Sequence, residues 1–296
     1  MDNITLRQLR YFEALARSGH FGRAAEHSAI SQPALSVQIK DLEESVGFAL
    51  FERGPRGVRL TSLGESFADR ARVVLRAMAD IGDWAEAARG DGLGRLRLGI
   101  IPTIAPYMLP RLIGDVTRAH PKIDLHIRET ITPRLIAELH DGQLDAAIVA
   151  LPVDESGLTE LPLFSEDMVL VRPKGADHEQ AVIPEALDKM RLLLLEEGHC
   201  FRDQALSFCN INPARPHSGL DGSSLSTLVQ MVGAGIGVTL IPEMAVAVET
   251  RSAPVSISRF QPPAPSRTIG LVWRKTNPTA GMLTQIGELL RQSGEQ

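Results

Sequence analysis

The first fifty residues show the spacing of hydrophobic positions that is typical of short amphipathic helices. Thr5 and Gln8 fit a capping box at the start of the first helix. A short second helix is predicted around residues 22–27, and a third begins after Ser31, with Pro33 in its first turn. The core-facing positions of the third helix fall within an arc of about 60°: Leu35, Ile39, Leu42 and Val46. Two helices joined by a tight turn predict a helix-turn-helix.

A long helix is predicted from Ser62, which pairs with Glu65 as a second capping box, towards Arg89. Its apolar positions alternate in steps of four and three, as in a coiled coil: Phe67, Ala71, Val74, Met78, Ile81, Ala85 and Ala88. Such a helix spans about 40 Å and favours a partner, for which a second copy of the chain is the natural candidate. Packing on its own chain is the alternative. Three glycines then form a hinge: Gly90, Gly92 and Gly94.

Beyond the hinge, short apolar strands alternate with helical segments, which predicts an α/β region with largely parallel sheets. The predicted strands are residues 95–101, 125–128, 146–150, 168–172, 191–195, 238–241 and 268–273. Ligands of such sheets bind beyond the carboxyl ends of the strands. We therefore expect the ligand-binding or reactive residues at positions 102–103, 130–132 and 196–200.

Charge is distributed unevenly along the chain of 296 residues. The net charge is -5, so bulk attraction cannot drive binding to nucleic acid, and any contact with DNA must be local. The segment after the third helix carries Arg53, Arg56 and Arg59 beside the single acid Glu52. This cluster favours phosphate contacts by a short basic loop or wing. A helix-turn-helix that serves only as packing is the competing interpretation.

The amino terminus shows no secretory signal, and the longest uncharged stretch, residues 222–242, is too polar for a membrane span. We therefore expect a cytoplasmic protein without membrane contact. Two cysteines and scattered histidines lack the close pairing of a zinc site, so we expect no metal. The sequence also contains no motif that predicts a cofactor.

Several segments carry a family resemblance. The run FGRAAEHSAISQPALSVQIKDLEESVGFALFER resembles the winged helix-turn-helix of LysR-type transcriptional regulators. The segments GIIPTIAPYMLP, GHCFRDQALSFC and RTIGLVWR are similar to the OxyR branch of that family, the hydrogen-peroxide sensors. The resemblance covers nearly the whole chain. It implies an N-terminal all-α winged helix-turn-helix, a long linker helix and a C-terminal α/β regulatory domain that is periplasmic-binding-protein-like, with two subdomains.

The expected bounds follow from this architecture. We place the winged helix-turn-helix at residues 1–60, the linker and dimerisation helix at 61–90 and the regulatory domain at 91–296. Subdomain I is expected at about 95–167 and 267–296, and subdomain II at about 168–266.

Cys200 stands just before a predicted helix, FRDQALSF. The positive end of a helix dipole favours a thiolate, and Arg202 and Arg267 add positive charge. Cys209 follows nine residues later, which in a helix means about 13 Å further along the axis. A disulfide needs α-carbons about 4.4–6.8 Å apart. If the two cysteines pair, the segment must therefore refold, and oxidation would act as a conformational switch.

The resemblance assigns roles around these cysteines. Cys200 would be the peroxidatic cysteine and Cys209 the resolving one. Hydroxyls and an imidazole suit the binding of peroxide and the donation of a proton: Thr103, Thr132 and His199. Support of the thiolate is expected from three charged residues: Arg202, Asp203 and Arg267. The bland alternative is that Thr103 caps a helix and that His199 only binds backbone.

On the DNA side, the groove-facing residues are expected on the third helix: Gln32, Pro33, Ser36 and Lys40. Arg53 and Arg56 are expected on phosphates. The resemblance implies a transcription activator that is a homotetramer, a dimer of dimers, and that binds promoter DNA and recruits RNA polymerase. Hydrogen peroxide would be the signal, and a reductant such as glutaredoxin or thioredoxin would reset it.

Two other classes fit parts of the sequence. A LysR-type regulator that responds to a small metabolite would have the same architecture, with both cysteines as packing groups. An enzyme such as a thiol peroxidase would need turnover by a reductant. We expect a regulator and not an enzyme.

Overall fold

The structure is a computed structural model that describes residues 4–54, 57–88, 94–175, 182–183, 186–187, 190–208 and 221–294. The chain divides into two compact units, Met1–Ala85 and Glu86–Gln296. A search of the described helices for one both long and apolar enough to cross a membrane finds none. The domain bounds that the sequence places near residues 60 and 90 stay predictions.

Three helices open the first unit: α1 (Leu6–Ser18), α2 (Phe21–His27) and α3 (Gln32–Val46). The predicted capping box of α1 is confirmed, since Thr5 and Gln8 each accept a backbone N–H of the other. The hydroxyl of Ser31 accepts from the N–H of Ala34 and caps α3, which ends at Gly47 in the left-handed conformation. Both ends of the predicted recognition helix are therefore fixed by local hydrogen bonds.

An antiparallel hairpin follows α3, formed by β1 (Phe51–Gly54) and β2 (Gly57–Leu60), and it confirms the predicted wing. The carboxylate of Glu43 on α3 accepts the N–H groups of Leu50 and Phe51 at 2.7 and 3.1 Å. The ring of Phe12 packs against Phe51 at 5.1 Å between centroids. These contacts hold the hairpin against the helical core.

The long helix α4 spans Ser62–Ala88, as predicted. Its predicted cap is wrong by one residue, because Ser62 is already helical and the hydroxyl of Thr61 accepts from the N–H of Gly64 at 2.9 Å. Part of its apolar seam is open to solvent, with Val74 44% and Ile81 57% exposed. Gly90 and Gly92 of the predicted hinge lie outside the described residues.

The second unit is built on a sheet with strand order β4-β3-β5-β10-β6-β8-β7, and β9 pairs with β6. Its strands are β3 (Arg95–Ile100), β4 (Asp124–Glu129), β5 (Ala146–Leu151), β6 (Leu158–Pro173), β7 (Leu192–Leu193), β8 (Val238–Pro242), β9 (Val255–Ser258) and β10 (Ser266–Arg274). The expectation of largely parallel sheets is wrong. Among the described strands, β10 runs antiparallel to β5 and β6, and β6 runs antiparallel to β8 and β9.

The error has a physical cause. Helical crossovers give parallel neighbours only where strands that follow one another in the chain also pair in the sheet. Here β10, which comes from near the end of the chain, is inserted between β5 and β6 and runs antiparallel to both, so β5 and β6 point the same way without being paired. Residues 158–167 of β6, which carry Pro162 and several acids, gave no alternating pattern from which a strand could be predicted.

Helices cover this sheet: α5 (Ala105–Ala119), α6 (Thr132–His140), α7 (Cys200–Phe208), α8 (Leu225–Gly233), α9 (Val246–Glu249) and α10 (Ala280–Gly294). They enclose two hydrophobic cores. Core I takes its buried residues from positions 96–163 and 269–290, and core II takes its own from 168–260. Strand β6 contributes to both cores, with Leu163 in the first and Met168 in the second.

Candidate functional site

The outward face of α3 carries the side chains that are predicted to read DNA. Gln32, Pro33 and Lys40 are exposed, and Ser36 is half-buried. Lys40 forms an ion pair with Glu44 one turn further on, at 3.4 Å. Val37 is also exposed, at 56%, although it is not among the predicted residues. Its position outside the arc of core residues is the signal that could have identified it.

The described part of the wing carries two of the three arginines that are predicted to contact phosphates. Arg53 lies on β1, Arg59 is exposed on β2, and Arg56 lies outside the described residues. The N–H of Val58 donates to the carbonyl of Gly19 at 2.9 Å, which ties the wing to the end of α1. The wing is thus anchored to α1 as well as to α3.

Cys200 is a free, half-buried thiol at the first residue of α7. The turn before it is tight, because Gly198 has a φ of +92° and a Cβ there would lie 2.8 Å from Cδ1 of Ile131. Only glycine satisfies both conditions without strain. Since Ile131 directly precedes Thr132, the first residue of α6, this turn packs the thiol-bearing segment against the start of α6.

Two predicted hydroxyls lie at the starts of helical segments. The hydroxyl oxygen of Thr132 is buried and finds no hydrogen-bond partner among the described residues. Thr103 is 2% exposed, and its hydroxyl accepts from Nη1 of Arg267 at 2.8 Å. An unpaired buried hydroxyl is costly, so Thr132 in particular suits a small polar ligand.

His199 is half-buried in the turn before Cys200. Burial lowers the pKa of His199, and the negative charge of Glu196 opposes this shift. The neutral imidazole is therefore favoured, with one nitrogen as donor and the other as acceptor.

The charged residues predicted to support the thiolate have different surroundings. Arg202 donates to the carbonyl of Leu195 at 2.6 Å and pairs with Asp221 at 3.1 Å, so it holds the segment before α7. Asp203 is exposed. The guanidinium of Arg267 is fully buried, where it pairs with Glu166.

A cleft of about 360 Å³ is lined by both sides of the second unit, with Thr103 and Tyr107 on one side and His199 and Glu249 on the other. Glu249 accepts the hydroxyls of Tyr107 and Ser226, both at 2.7 Å. Burial first and the bond to Glu249 second raise the pKa of Tyr107, so its hydroxyl stays protonated. This bridge joins α5 to α8 and α9, and no local sequence pattern could have predicted it.

The cleft brings two residues of the predicted set together, Thr103 and His199. Ile131, the neighbour of Thr132, also lines it, whereas Thr132 and Cys200 themselves are not among the described residues of its lining. Cys209 lies outside the described residues. Across the part of the chain that the structure describes, no three His, Cys, Asp or Glu side chains are grouped so that they could hold a metal ion.

A helix-turn-helix with a wing, carried on one chain with a two-core unit that contains a cleft, defines a DNA-binding regulator of transcription. Two family models match the chain. The bacterial regulatory helix-turn-helix protein, lysR family, matches residues 6–65, and the LysR substrate binding domain matches residues 89–294. The chain belongs to the LysR family of transcription regulators.

Similar proteins point to one branch of this family. A probable hydrogen peroxide-inducible genes activator from Streptomyces viridosporus is 43% identical over 98% of this chain and 94% of its own. A full-length OxyR variant from Pseudomonas aeruginosa has a TM-score of 0.78 at 37% identity, covering 98% of this chain and 96% of that one. A hydrogen-peroxide-bound OxyR variant from Corynebacterium glutamicum has a TM-score of 0.66 at 37% identity, covering 99% and 93%.

Proposed function

We propose that this chain is a peroxide-sensing transcription activator in which hydrogen peroxide oxidises Cys200, and Cys209 then closes an intramolecular disulfide. The observation that carries the proposal is the place of Cys200, a free thiol at the first residue of a nine-residue helix. The peroxide-bound structural relative supports the choice of signal.

The geometry of α7 makes such a bond a switch. Its first and last α-carbons, at Cys200 and Phe208, are about 12 Å apart at 1.5 Å per residue. Consecutive α-carbons are about 3.8 Å apart, so the residue after Phe208 stays about 8 Å or more from Cys200 while the helix is intact. A disulfide allows at most about 6.8 Å. Bond formation therefore requires α7 to unwind.

The chemistry balances with peroxide as the only oxidant. The Cys200 thiolate attacks one peroxide oxygen, the O–O bond breaks, and the departing hydroxide takes up a proton to leave as water. The Cys209 thiolate then attacks the sulfenic sulfur, and a second hydroxide leaves as water on protonation. Two thiols and one peroxide thus give one disulfide and two waters. A dithiol reductant such as glutaredoxin or thioredoxin would return the two electrons.

The residues that are predicted to act with Cys200 suit the first step. The neutral His199 and the hydroxyls of Thr103 and Thr132 can hold peroxide and supply hydrogen bonds to the leaving oxygen. Arg202 holds the segment before α7 through its bond to the carbonyl of Leu195, and the carboxylate of Asp203 in the first turn interacts favourably with the positive end of the helix dipole. Arg267 acts through its contact with Thr103.

The first unit supplies the DNA contacts of the proposal. The exposed face of α3 would enter the major groove with Gln32, Pro33, Ser36 and Lys40, and Val37 could meet a thymine methyl group. Arg53 and Arg56 would contact phosphates. The open apolar seam of α4 favours pairing with a second copy, within a dimer-of-dimers homotetramer that recruits RNA polymerase in the cytoplasm.

The test combines two measurements on the full-length protein. After stoichiometric peroxide, we expect mass spectrometry of a digest to show a peptide that links Cys200 to Cys209, and footprinting to show altered contacts on promoter DNA. Cys209→Ser is the matched control and should stop at the sulfenic acid. The absence of both the linked peptide and the footprint change in the wild-type protein would refute the proposal.

A second candidate is a regulator that responds to a small metabolite. The cleft of about 360 Å³ favours it, because this volume far exceeds the need of one peroxide molecule. A Cys200→Ser variant that still responds to its inducer in full would support this candidate and remove the first.

A further inference from the structure

Glu166 and Arg267 form a buried ion pair that the sequence did not predict. The side chain of Arg267 is 0% exposed and that of Glu166 is 7% exposed. Oε1 of Glu166 accepts from both Nε and Nη2 of Arg267, at 2.9 and 2.7 Å. The pair follows from the strand register, in which Glu166 of β6 lies opposite Arg267 of β10. Two donors on one oxygen fix the plane of the guanidinium.

This pair stands at the junction of the two cores. On β6, core I ends with Leu163 and core II begins with Met168, so Glu166 lies between them. Its second oxygen, Oε2, accepts the N–H of Met244, which follows β8, at 3.4 Å. The carboxylate is therefore held from both β10 and the segment after β8.

The outer edge of the fixed guanidinium holds Thr103. Nη1 of Arg267 donates to the Thr103 hydroxyl at 2.8 Å, and Nη2 donates to the Thr103 carbonyl at 3.1 Å. A guanidinium can only donate, so the hydroxyl oxygen acts as acceptor here and its own proton is left for another partner. Among the described residues that hydroxyl donates to no group. Thr103 lines the cleft, so the proton is available to a ligand there.

Arg267 also contacts the thiol-bearing helix. The carbon of its guanidinium lies 5.1 Å from the centroid of the Phe201 ring, and Phe201 directly follows Cys200. One buried cation thus touches both the first turn of α7 and the hydroxyl proposed to bind peroxide.

We propose that Glu166 is a positioning residue for the oxidation of Cys200, acting through Arg267 on Thr103. It holds the guanidinium so that the Thr103 hydroxyl can serve as a hydrogen-bond donor to peroxide. This inference rests on the proposed function. In the step concerned, the Cys200 thiolate takes one peroxide oxygen, and the other leaves as hydroxide and gains a proton to become water. A donor at Thr103 stabilises the negative charge that develops on the leaving oxygen.

The first test is Glu166→Gln in the full-length protein, with single-turnover oxidation of Cys200 by hydrogen peroxide as the readout. We expect the second-order rate constant to fall about tenfold, because a misplaced donor is costly in the transition state. The matched control is Glu160→Gln on the same strand. Glu160 accepts from the N–H groups of Val153 and Asp154, so its loss should leave the oxidation rate unchanged.

A double-mutant cycle tests the route through Thr103. Thr103→Val should also lower the peroxide rate, and adding Glu166→Gln to it should cause no further fall. Alkylation by iodoacetamide needs no donor to a leaving oxygen of peroxide, so its rate should not fall in Glu166→Gln. A double variant that shows the product of the two single effects would overturn the inference, as would a parallel fall of alkylation and oxidation.

Removing one partner of a buried pair can prevent folding. If Glu166→Gln does not fold, Glu166→Asp keeps the charge and draws Arg267 away by one methylene. Glu166→Asp should lower the rate constant of Cys200 oxidation several-fold when Thr103 is present. In a protein that already carries Thr103→Val, it should leave that rate constant unchanged. If a folded Glu166 variant is oxidised at the rate of the wild-type protein, the inference is overturned and the proposed function stands. If Cys200 of the wild-type protein itself resists peroxide, the proposed function is overturned together with the inference.

Discussion

The helices α3 and α7 both carry side chains with a proposed function in their first turn, but they are built differently. α3 has 15 residues, a Ser31 cap and a left-handed Gly47 at its end. α7 has nine residues and buries Phe201, Ala205 and Leu206. Isolated helices shorter than about 12 residues are marginal in water, so α7 depends on those few tertiary contacts.

Under the proposed function, the two helices are two different uses of the same element. A helix that reads DNA must hold its side chains at fixed positions, and local caps provide that. A helix that reports oxidation must be able to unwind when the disulfide forms. Closing a loop of about ten residues contributes about 3 kcal/mol in the chain-entropy model, which is comparable to the burial of one or two large apolar side chains. The disulfide can therefore compete with the helix.

Removing the thiol should have the largest effect, and it should affect only the function proposed for α7. In Cys200→Ser, we expect the peroxide-dependent change of the DNA footprint to disappear entirely, because no sulfenic acid can form. Binding of the untreated protein to promoter DNA should be that of the wild type, since α3 is unaffected. Footprinting with and without peroxide measures both. A full peroxide response in this variant would break the comparison.

Arg53→Ala tests the DNA-reading side alone. We expect weaker binding to all DNA sequences and a salt dependence whose slope is smaller by about one phosphate contact. Titrations at several salt concentrations measure this. The matched control is Arg72→Ala on α4, whose guanidinium is paired with Asp69 at 2.8 Å and should leave binding unchanged. Loss of affinity at only one operator base would contradict the phosphate assignment.

The pH dependence of stability should reveal His199 on the sensing side. Burial lowers the pKa of His199, so the unfolded chain binds its proton at a higher pH than the folded one. The contribution of the neutral His199 to the free energy of unfolding is present above the pKa of the unfolded chain, about 6.5, and is lost as the pH falls below that value. Urea unfolding at pH 7 and at pH 5 should show that the free energy of unfolding declines less in His199→Asn than in the wild-type protein. An equal decline in both proteins would argue against a buried, neutral imidazole.

The smallest expected effect probes the stability of α7 directly. Ser207 is exposed on α7, and Ser207→Ala should slow disulfide closure about twofold because alanine favours the helix by about 0.5 kcal/mol. Ser207→Gly should speed closure by a similar factor. Peroxide-induced loss of free thiol over time measures both. Ser45→Ala on α3 is the matched control, and an equal effect there would show that α7 is not the element that unwinds.

The sequence predicted those parts of the fold that depend on near neighbours. The capping box of Thr5 and Gln8 and the Ser31 cap both rest on contacts within a single turn. The mixed direction of the sheet could not be predicted, because the paired residues of β6 and β10 lie between 68 (Val171 and Thr239) and 125 (Ala147 and Val272) positions apart in the chain. Strand pairing at that distance leaves no periodic signal in either segment.

The candidate site divides in the same way. Cys200 and His199 stand in a segment whose family resemblance is strong, and Thr103 follows a predictable strand. Glu166, Tyr107 and Glu249 could not be found, since each matters only through a partner fixed by register or by helix packing. A buried carboxylate has no sequence signature of its own.

Strand β6 runs without interruption from Leu158 to Pro173 and supplies residues to both hydrophobic cores. Neither half of the second unit is therefore a module that could be cut out, exchanged with a relative or inherited separately. Melting one half withdraws a strand from the other, so the pair should denature in a single cooperative transition. The two halves whose residues line the cleft thus share one continuous strand.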